Sequence, residues 1–250
     1  MATGILTSDP GIFRTIVNEF DFVVDESSNR TTVYKSNKSN KLLIVVKVFD
    51  SGQVEHISEM LLRHSVDFLI SVEHATSCSR RVPVGAVLLC DEMSSLEGPV
   101  ALWHPNKRLV MKKFNNQPIS HLFENLAYDD WVFPHSSLLT TTQIVSEPPM
   151  KEWLNDVIHA DLNEFCGLLV HSLCTKMNID YAVVRGIVTG VGVKHSDFYI
   201  KLQCNERSVA MSIVFNPFRL ITLIKFFNRR SKMRKNASKI LRRLLFVEAV

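Results

Sequence analysis

Long apolar runs are missing from this chain. No stretch approaches the ~20 apolar residues that a helix needs to cross a bilayer, and residues 1–20 hold Asp9, Pro10 and Arg14 where a secretory signal needs an unbroken apolar core. An intracellular protein, nuclear or cytoplasmic and not secreted, is therefore expected. Cysteine is sparse as well. Cys78, Cys90, Cys166, Cys174 and Cys204 form no CxxC pair, and their odd number suits reduced thiols rather than a disulfide framework. Catalytic signatures are absent too: there is no G-x-S-x-G elbow and no H-E-x-x-H zinc helix. The nine histidines show no pairing by spacing. Gly186, Gly190 and Gly192 lack the Gly-Lys-Ser/Thr ending of a phosphate loop, and bulges in a twisted strand account for them better.

Acidic residues are missing from one end. Between Arg207 and Val247 stand eleven Lys or Arg and no Asp or Glu, which leaves 18 basic residues against all 25 acidic ones elsewhere, a net of −7. Such a split assigns the two ends different partners. With 46% apolar residues in 250, the chain has ample material for a packed core.

The fold argument rests on Lys41 to Glu73, which reads as strand, turn, amphipathic helix, strand. Leu42 to Phe49 is a β-branched apolar run broken only by Lys47, the composition of a strand covered on both faces. Val54, Ile57 and Leu61 follow at helical spacing, and Val66 to Val72 is a second run. So short a crossover makes two parallel strands with a right-handed connection. Before this unit come a short helix from Asp9-Pro10 and strands at Phe22–Val24 and Thr31–Lys35. After it, strands are expected at Pro83–Cys90 and Val100–Trp103. Pro148-Pro149 is the best boundary and begins a helix expected from about Met150 to Met177. Tyr181–Val193, Asp197–Cys204 and Arg207–Phe215 read as an antiparallel meander, followed by a basic amphipathic helix. The expected class is α+β: a mixed α/β domain over 1–147, then a helix, three-stranded meander and basic helix over 148–250.

The order helix, strand, strand, strand, helix, strand resembles the core of the restriction-endonuclease-like fold. That resemblance implies an acid-x-Lys on a core strand, whose carboxylate would help to hold Mg²⁺. Lys47 is present, but Val45 stands where the acid is needed. In the second half, helix, three strands and helix is the order of a double-stranded-RNA-binding domain, and Ser231 to Lys235 ahead of Ala237 resembles the basic start of its last helix. Some fifteen residues from Asn216 to Arg230 intervene where that family has a tight turn.

Polyanion binding through counterion release is the chemistry that the basic end implies. The expected function is a non-catalytic, nucleic-acid-associated or adaptor subunit of a larger complex, RNA-binding among the options. Its contacts to phosphate or an acidic partner are assigned to Arg229, Arg230, Lys232, Arg234, Lys235, Lys239, Arg242 and Arg243. A secondary basic and aromatic patch comprises Trp103, Lys107, Arg108, Lys112 and Lys113. The alternatives are a metal-dependent nuclease-like or other enzyme of the α/β layer, and a protein scaffold carrying a nuclear address in its tail. No cofactor and no metal is expected. His171, Cys174 and Cys166 could meet, yet without a second ligand pair they read as core.

Overall fold

β1, Thr3–Thr7, is buried along its whole length, and a ten-stranded mixed sheet extends to either side of it in the computed structural model. The structure describes residues 2–9, 11, 12, 14, 17, 20–46, 49–96, 111–115, 129–141, 145–193 and 219–247. After β1 come helical residues among 11–20, then β2 (Phe22–Ser27), β3 (Thr31–Ser36) and β4 (Lys41–Val46). A 3-10 turn leads into α1 (Val54–Arg63), and then β5 (Phe68–Ser77), β6 (Val87–Leu96), β7 (Met111–Asn115) and β8 (Val132–Thr140) follow. The chain continues through α2 (Pro148–Ile158), β9 (Leu162–Glu164), α3 (Gly167–Met177), β10 (Asp180–Thr189) and α4 (Arg219–Val247).

The unit from Lys41 to Glu73 forms as strand, helix, strand, with Ile57, Met60 and Leu61 of α1 buried. Its two strands run the same way but do not touch. β1 lies between them, parallel to both, with Ile5 opposite Leu43 on one side and Ile70 on the other. Beyond β5 the sheet closes on itself. β5 pairs parallel with β10, β10 antiparallel with β6, β6 parallel with β8, β8 parallel with β9, and β9 antiparallel with β5. One edge of β5 therefore serves two partners: Phe68–Ser71 meet β1, and Thr76–Ser77 meet β9. Val72 to Ala75 lie in the gap between them.

Helices cover both faces. On one side Met233, Ala237, Ile240, Leu241, Leu244 and Leu245 of α4 pack on Ile5, Ile70, Val72, Val184 and Val188. On the other, α1 and α3 bury Ile57, Leu61, Val170 and Leu173 against Leu6, Leu69, Leu88 and Val183. α2 closes a third, smaller core through Leu154 and Ile158.

Several sequence expectations change. The helix expected over Met150–Met177 is two helices with β9 between them, because His159 adopts a left-handed conformation (φ 60°) and ends α2. Asn155 Nδ2 then donates to the Ala160 carbonyl at 3.0 Å, and Leu162 to Glu164 enter the sheet. The first strand of the expected meander is instead β10, inside the ring and parallel to β5; its second and third strands lie outside the described residues. The sheet runs on across the diproline, since β9 and β10 pair with strands from the first half of the chain. The architecture is a mixed α/β fold, in which the strands on either side of Pro148-Pro149 belong to the same sheet. Truncating Leu241 to Ala, fully buried on the face of α4 that meets the sheet, should cost about 2–5 kcal/mol. A urea-unfolding midpoint equal to wild type would contradict the docked helix.

Candidate active site at the carboxyl end of β1

Arg185 lies in the apolar strand β10 and is completely buried. A buried guanidinium must be paired, and Glu164, at the end of β9, supplies the partner: Arg185 Nε donates to Glu164 Oε2 at 3.2 Å. Nη1 donates to the Ser71 carbonyl and hydroxyl at 3.1 and 3.2 Å. Glu164 is saturated. It accepts the Thr140 hydroxyl at 3.0 Å, the Gly167 and Cys166 N–H groups at 2.8 and 2.9 Å, and the Cys166 thiol at 3.0 Å. Burial opposes its ionisation, but the Arg185 charge and these donors hold its carboxyl below the ordinary value. It also supplies the acceptor that the first N–H groups of α3 need. Burial and the Glu164 charge push the Cys166 thiol well up, so it is a donor in the cluster and not a thiolate.

Glu73 sits in the gap on the edge of β5, directly across from Arg185 in the register. There β1 ends, and Ser8 turns back onto it: the Ser8 N–H donates to Oε1, and the Ser8 hydroxyl donates to Oε2 at 2.6 Å. Burial raises the Glu73 carboxyl to about 7 against the pull of Ser8 and Arg185. His74 Nδ1 lies 3.9 Å from Glu73 Oε2, and burial, aided by the Arg230 charge, lowers this imidazole to about 4. Next to Ser8, the fully buried Asp9 is held by α4: Arg230 Nε donates to Oδ2 at 2.9 Å, and Arg234 engages both oxygens, with Nη2 at 2.7 Å from Oδ1. Burial disfavours the Asp9 charge, yet the two arginines bring its carboxyl below the usual value. The carboxyl end of a parallel strand, where the sheet changes partners, is where α/β proteins bind ligands. Here it holds a carboxyl near neutrality, a neutral imidazole and a serine hydroxyl.

Of the residues assigned from sequence, the structure brings Arg230 and Arg234 to this site. Arg230 and Arg234 are bound to Asp9, and Arg243 Nη2 is 2.8 Å from Asp129 Oδ2. Lys239 lies over the Trp131 ring at 5.4 Å. Arg229 and Arg242 also have partners within the molecule, while the Lys232 and Lys235 side chains are exposed. Trp103, Lys107, Arg108 and Lys47 lie outside the described residues; Lys112 and Lys113 belong to β7. His171 Nδ1 meets the Tyr181 hydroxyl at 2.6 Å, and Cys174 is buried on the inner face of α3. Among the described residues no group of three or more His, Cys, Asp or Glu could hold a metal. A cavity of about 290 Å³ lined by Ala2, Lys35, Lys41, Arg63 and His64 lies at the opposite end of β1, away from the carboxyls. Sequence reasoning passed over Glu73, Glu164 and Arg185. The signal available was a single charge inside each of two apolar runs, FLISVEHA and YAVVRGIV.

Solved structures share this fold over nearly the whole chain. A 5'-methylthioadenosine/S-adenosylhomocysteine nucleosidase of Helicobacter pylori matches at a TM-score of 0.69 and 15% identity, covering 100% of this chain and 99% of its own. The futalosine hydrolase of the same organism matches at 0.69 and 16% identity over 98% and 97%. A 5'-methylthioadenosine/S-adenosylhomocysteine nucleosidase of Neisseria meningitidis matches at 0.68 and 10% over 98% of each. No protein-family model and no curated sequence matches the chain. The fold of these nucleosidases overturns the expected non-catalytic adaptor, and with it the RNA-binding and nuclear readings of the basic tail, because that tail is a core helix of the fold. No described helix is long and apolar enough to cross a membrane.

Glu73 and His74 have opposite effects on stability. Glu73, folded at about 7 against an ordinary 4.5, favours the folded state fully below pH 4.5 and loses that contribution as pH rises through 7. His74, folded at about 4 against 6.5, favours it fully above pH 6.5 and loses the contribution as pH falls through 4. Between 4.5 and 6.5 the two slopes cancel. Urea unfolding at about pH 5 and about pH 7 should therefore differ little in wild type. Glu73→Gln should be less stable at the lower pH, and His74→Gln less stable at the higher, each by up to about 3 kcal/mol. Parallel profiles in all three proteins would rule out the assignment.

Proposed function

We propose that the chain hydrolyses the N-glycosidic bond of a nucleoside-type substrate, with Glu73 as general acid. The observation that carries this reading is a buried carboxyl that still holds its proton near neutrality, placed at the end of β1 within a fold shared with nucleosidases. An N-glycosidic bond breaks with its electron pair leaving on the base nitrogen, so the slow step needs a proton donor there. A carboxylic acid at about 7 is matched to that task at physiological pH. As the C1'–N bond breaks, Glu73 gives its proton to the base. Water then bonds to C1', and the surplus proton of that water returns to the Glu73 carboxylate. The products are the free base and the sugar with a hydroxyl at C1'.

Neutral His74 at 3.9 Å from Glu73 adds no competing positive charge where the sugar becomes cationic. Arg185 and Glu164 neutralise each other beside the site and fix the turn from β9 into α3. The substrate class is drawn from the compounds that name the similar enzymes: 5'-methylthioadenosine, S-adenosylhomocysteine and futalosine.

Incubation of the purified full chain with each of these three compounds, followed by chromatography of the free base, tests the proposal. Release is expected from at least one of them. It should fall about 10²- to 10⁴-fold in Glu73→Gln with unchanged circular dichroism, and in wild type it should decline above about pH 7 as Glu73 loses its proton. No release above the uncatalysed rate from any of the three would overturn the reading.

A further inference from the structure

We infer that Arg230 and Arg234 of the C-terminal helix are positioning residues for Glu73, acting through the Ser8–Asp9 turn. The inference rests on the catalytic reading of Glu73 for its bearing on function, but its geometry stands apart from that reading. Asp9 is fully buried and is gripped from α4 by Arg230 Nε at 2.9 Å and by the Arg234 fork on both oxygens. From its own side, Asp9 Oδ1 accepts the Gly11 N–H at 2.8 Å, and the Asp9 N–H donates to the Thr7 hydroxyl at 3.0 Å. The carboxylate thus ties α4 to the Gly11 side of the turn that carries Ser8, and the Asp9 main chain ties that turn back to Thr7. Ser8 in turn is the residue whose N–H and hydroxyl meet the Glu73 carboxyl. Two residues more than 220 positions downstream therefore fix the donors of the site.

The fit is close. A Cβ placed on Gly11 would overlap the Arg234 guanidinium, so only glycine leaves the fork its seat. A lysine at 234 keeps the charge but has no planar fork with which to span two oxygens. The other charged or titratable groups near Glu73 are Arg185 on β10, Asp9 after β1 and His74 beside it on β5, and His74 in turn feels Arg230 of α4 and Glu164 of β9. Loosening the grip withdraws the Ser8 donors that favour the carboxylate and leaves the Asp9 charge less compensated. Both effects push the Glu73 proton in the same direction, towards tighter holding.

The experiment follows the Glu73 carboxyl carbon by ¹³C NMR on the full chain with labelled glutamate, with the signal assigned by its loss in Glu73→Gln. No substrate is present, so failed hydrolysis would sink the catalytic reading without touching this result. Arg234→Lys keeps every charge, and so does Gly11→Leu, which displaces the fork. Each should raise the Glu73 midpoint by about one pH unit, and Ser8→Ala should raise it by a similar amount. Arg234→Lys combined with Ser8→Ala should shift it by less than the sum of the two, because both act on the same bonds. An unmoved midpoint in folded Arg234→Lys and Gly11→Leu, even with lowered thermal stability, would show a merely structural pair and overturn the inference. A fully additive double variant would overturn it as well, since the arginines would then act on Glu73 without Ser8.

Discussion

Arg185 has no route to water. It projects from a strand that is buried from Tyr181 to Thr189, and its guanidinium is enclosed by Ser71, Cys166, Glu164 and the backbone of β10. A charge so placed is tolerable only if a counter-charge is held in good geometry, and removing either partner strands the other at a cost of about 3–5 kcal/mol. That requirement explains how β9, a strand of three residues, can close a ring of strands. Its short ladder contributes little by itself, but Glu164 at its end is bound to Arg185 and also receives the first N–H groups of α3. One carboxylate thereby joins β10, β9, β8 and α3, and the gap left on the edge of β5 is the place where Glu73 meets Ser8.

The charge asymmetry of the sequence finds its explanation inside the molecule. From Phe226 onwards α4 carries Met233, Ala237, Ile240, Leu241 and Leu244 at helical spacing on one face, and that face lies on the sheet, while Leu220, Ile221, Ile224 and Phe227 near its start are exposed. The approach is close: a side chain at Gly186 would overlap Met233, and one at Gly85, whose φ is +90°, would overlap Lys232. Several of its basic residues meet internal partners, namely Asp9, Asp129 and the Trp131 ring. At these contacts the positive charge of the helix and the net negative charge of the remaining chain face each other across a single intramolecular interface.

Legibility in the sequence followed the range of the interactions. The unit from Lys41 to Glu73 was readable because an apolar run, a turn and an amphipathic repeat are local signals. β1 was missed because TGILT offers only five residues, including a glycine, and its strand character comes from β4 and β5 on either side. The break at His159 carries neither Gly nor Pro, and the apolar spacing runs straight on through Leu162 and Phe165, so two helices and a strand looked like one helix. In the site, Glu73 and Arg185 were visible as single charges in apolar runs. Glu164 and Asp9 were not, because nothing local distinguishes a carboxylate that will be buried from one that will be solvated. The basic helix was misassigned because charge density was weighed above the apolar repeat of Met233, Ala237, Ile240, Leu241 and Leu244 in the same segment.

The Asp9 grip also bears on how the chain reaches its folded state. Asp9 leaves the ribosome long before its partners Arg230 and Arg234, which are 221 and 225 positions behind it. Until α4 has emerged, the apolar face formed by Ile5, Ile70, Val72 and Val184 has no cover and Asp9 has no counter-charge. Contacts of such sequence separation slow folding and hold back completion of the core. A nascent chain stopped short of residue 230 exposes a sticky sheet face with an unpaired carboxylate at its edge, so completion of this core waits for the synthesis of α4.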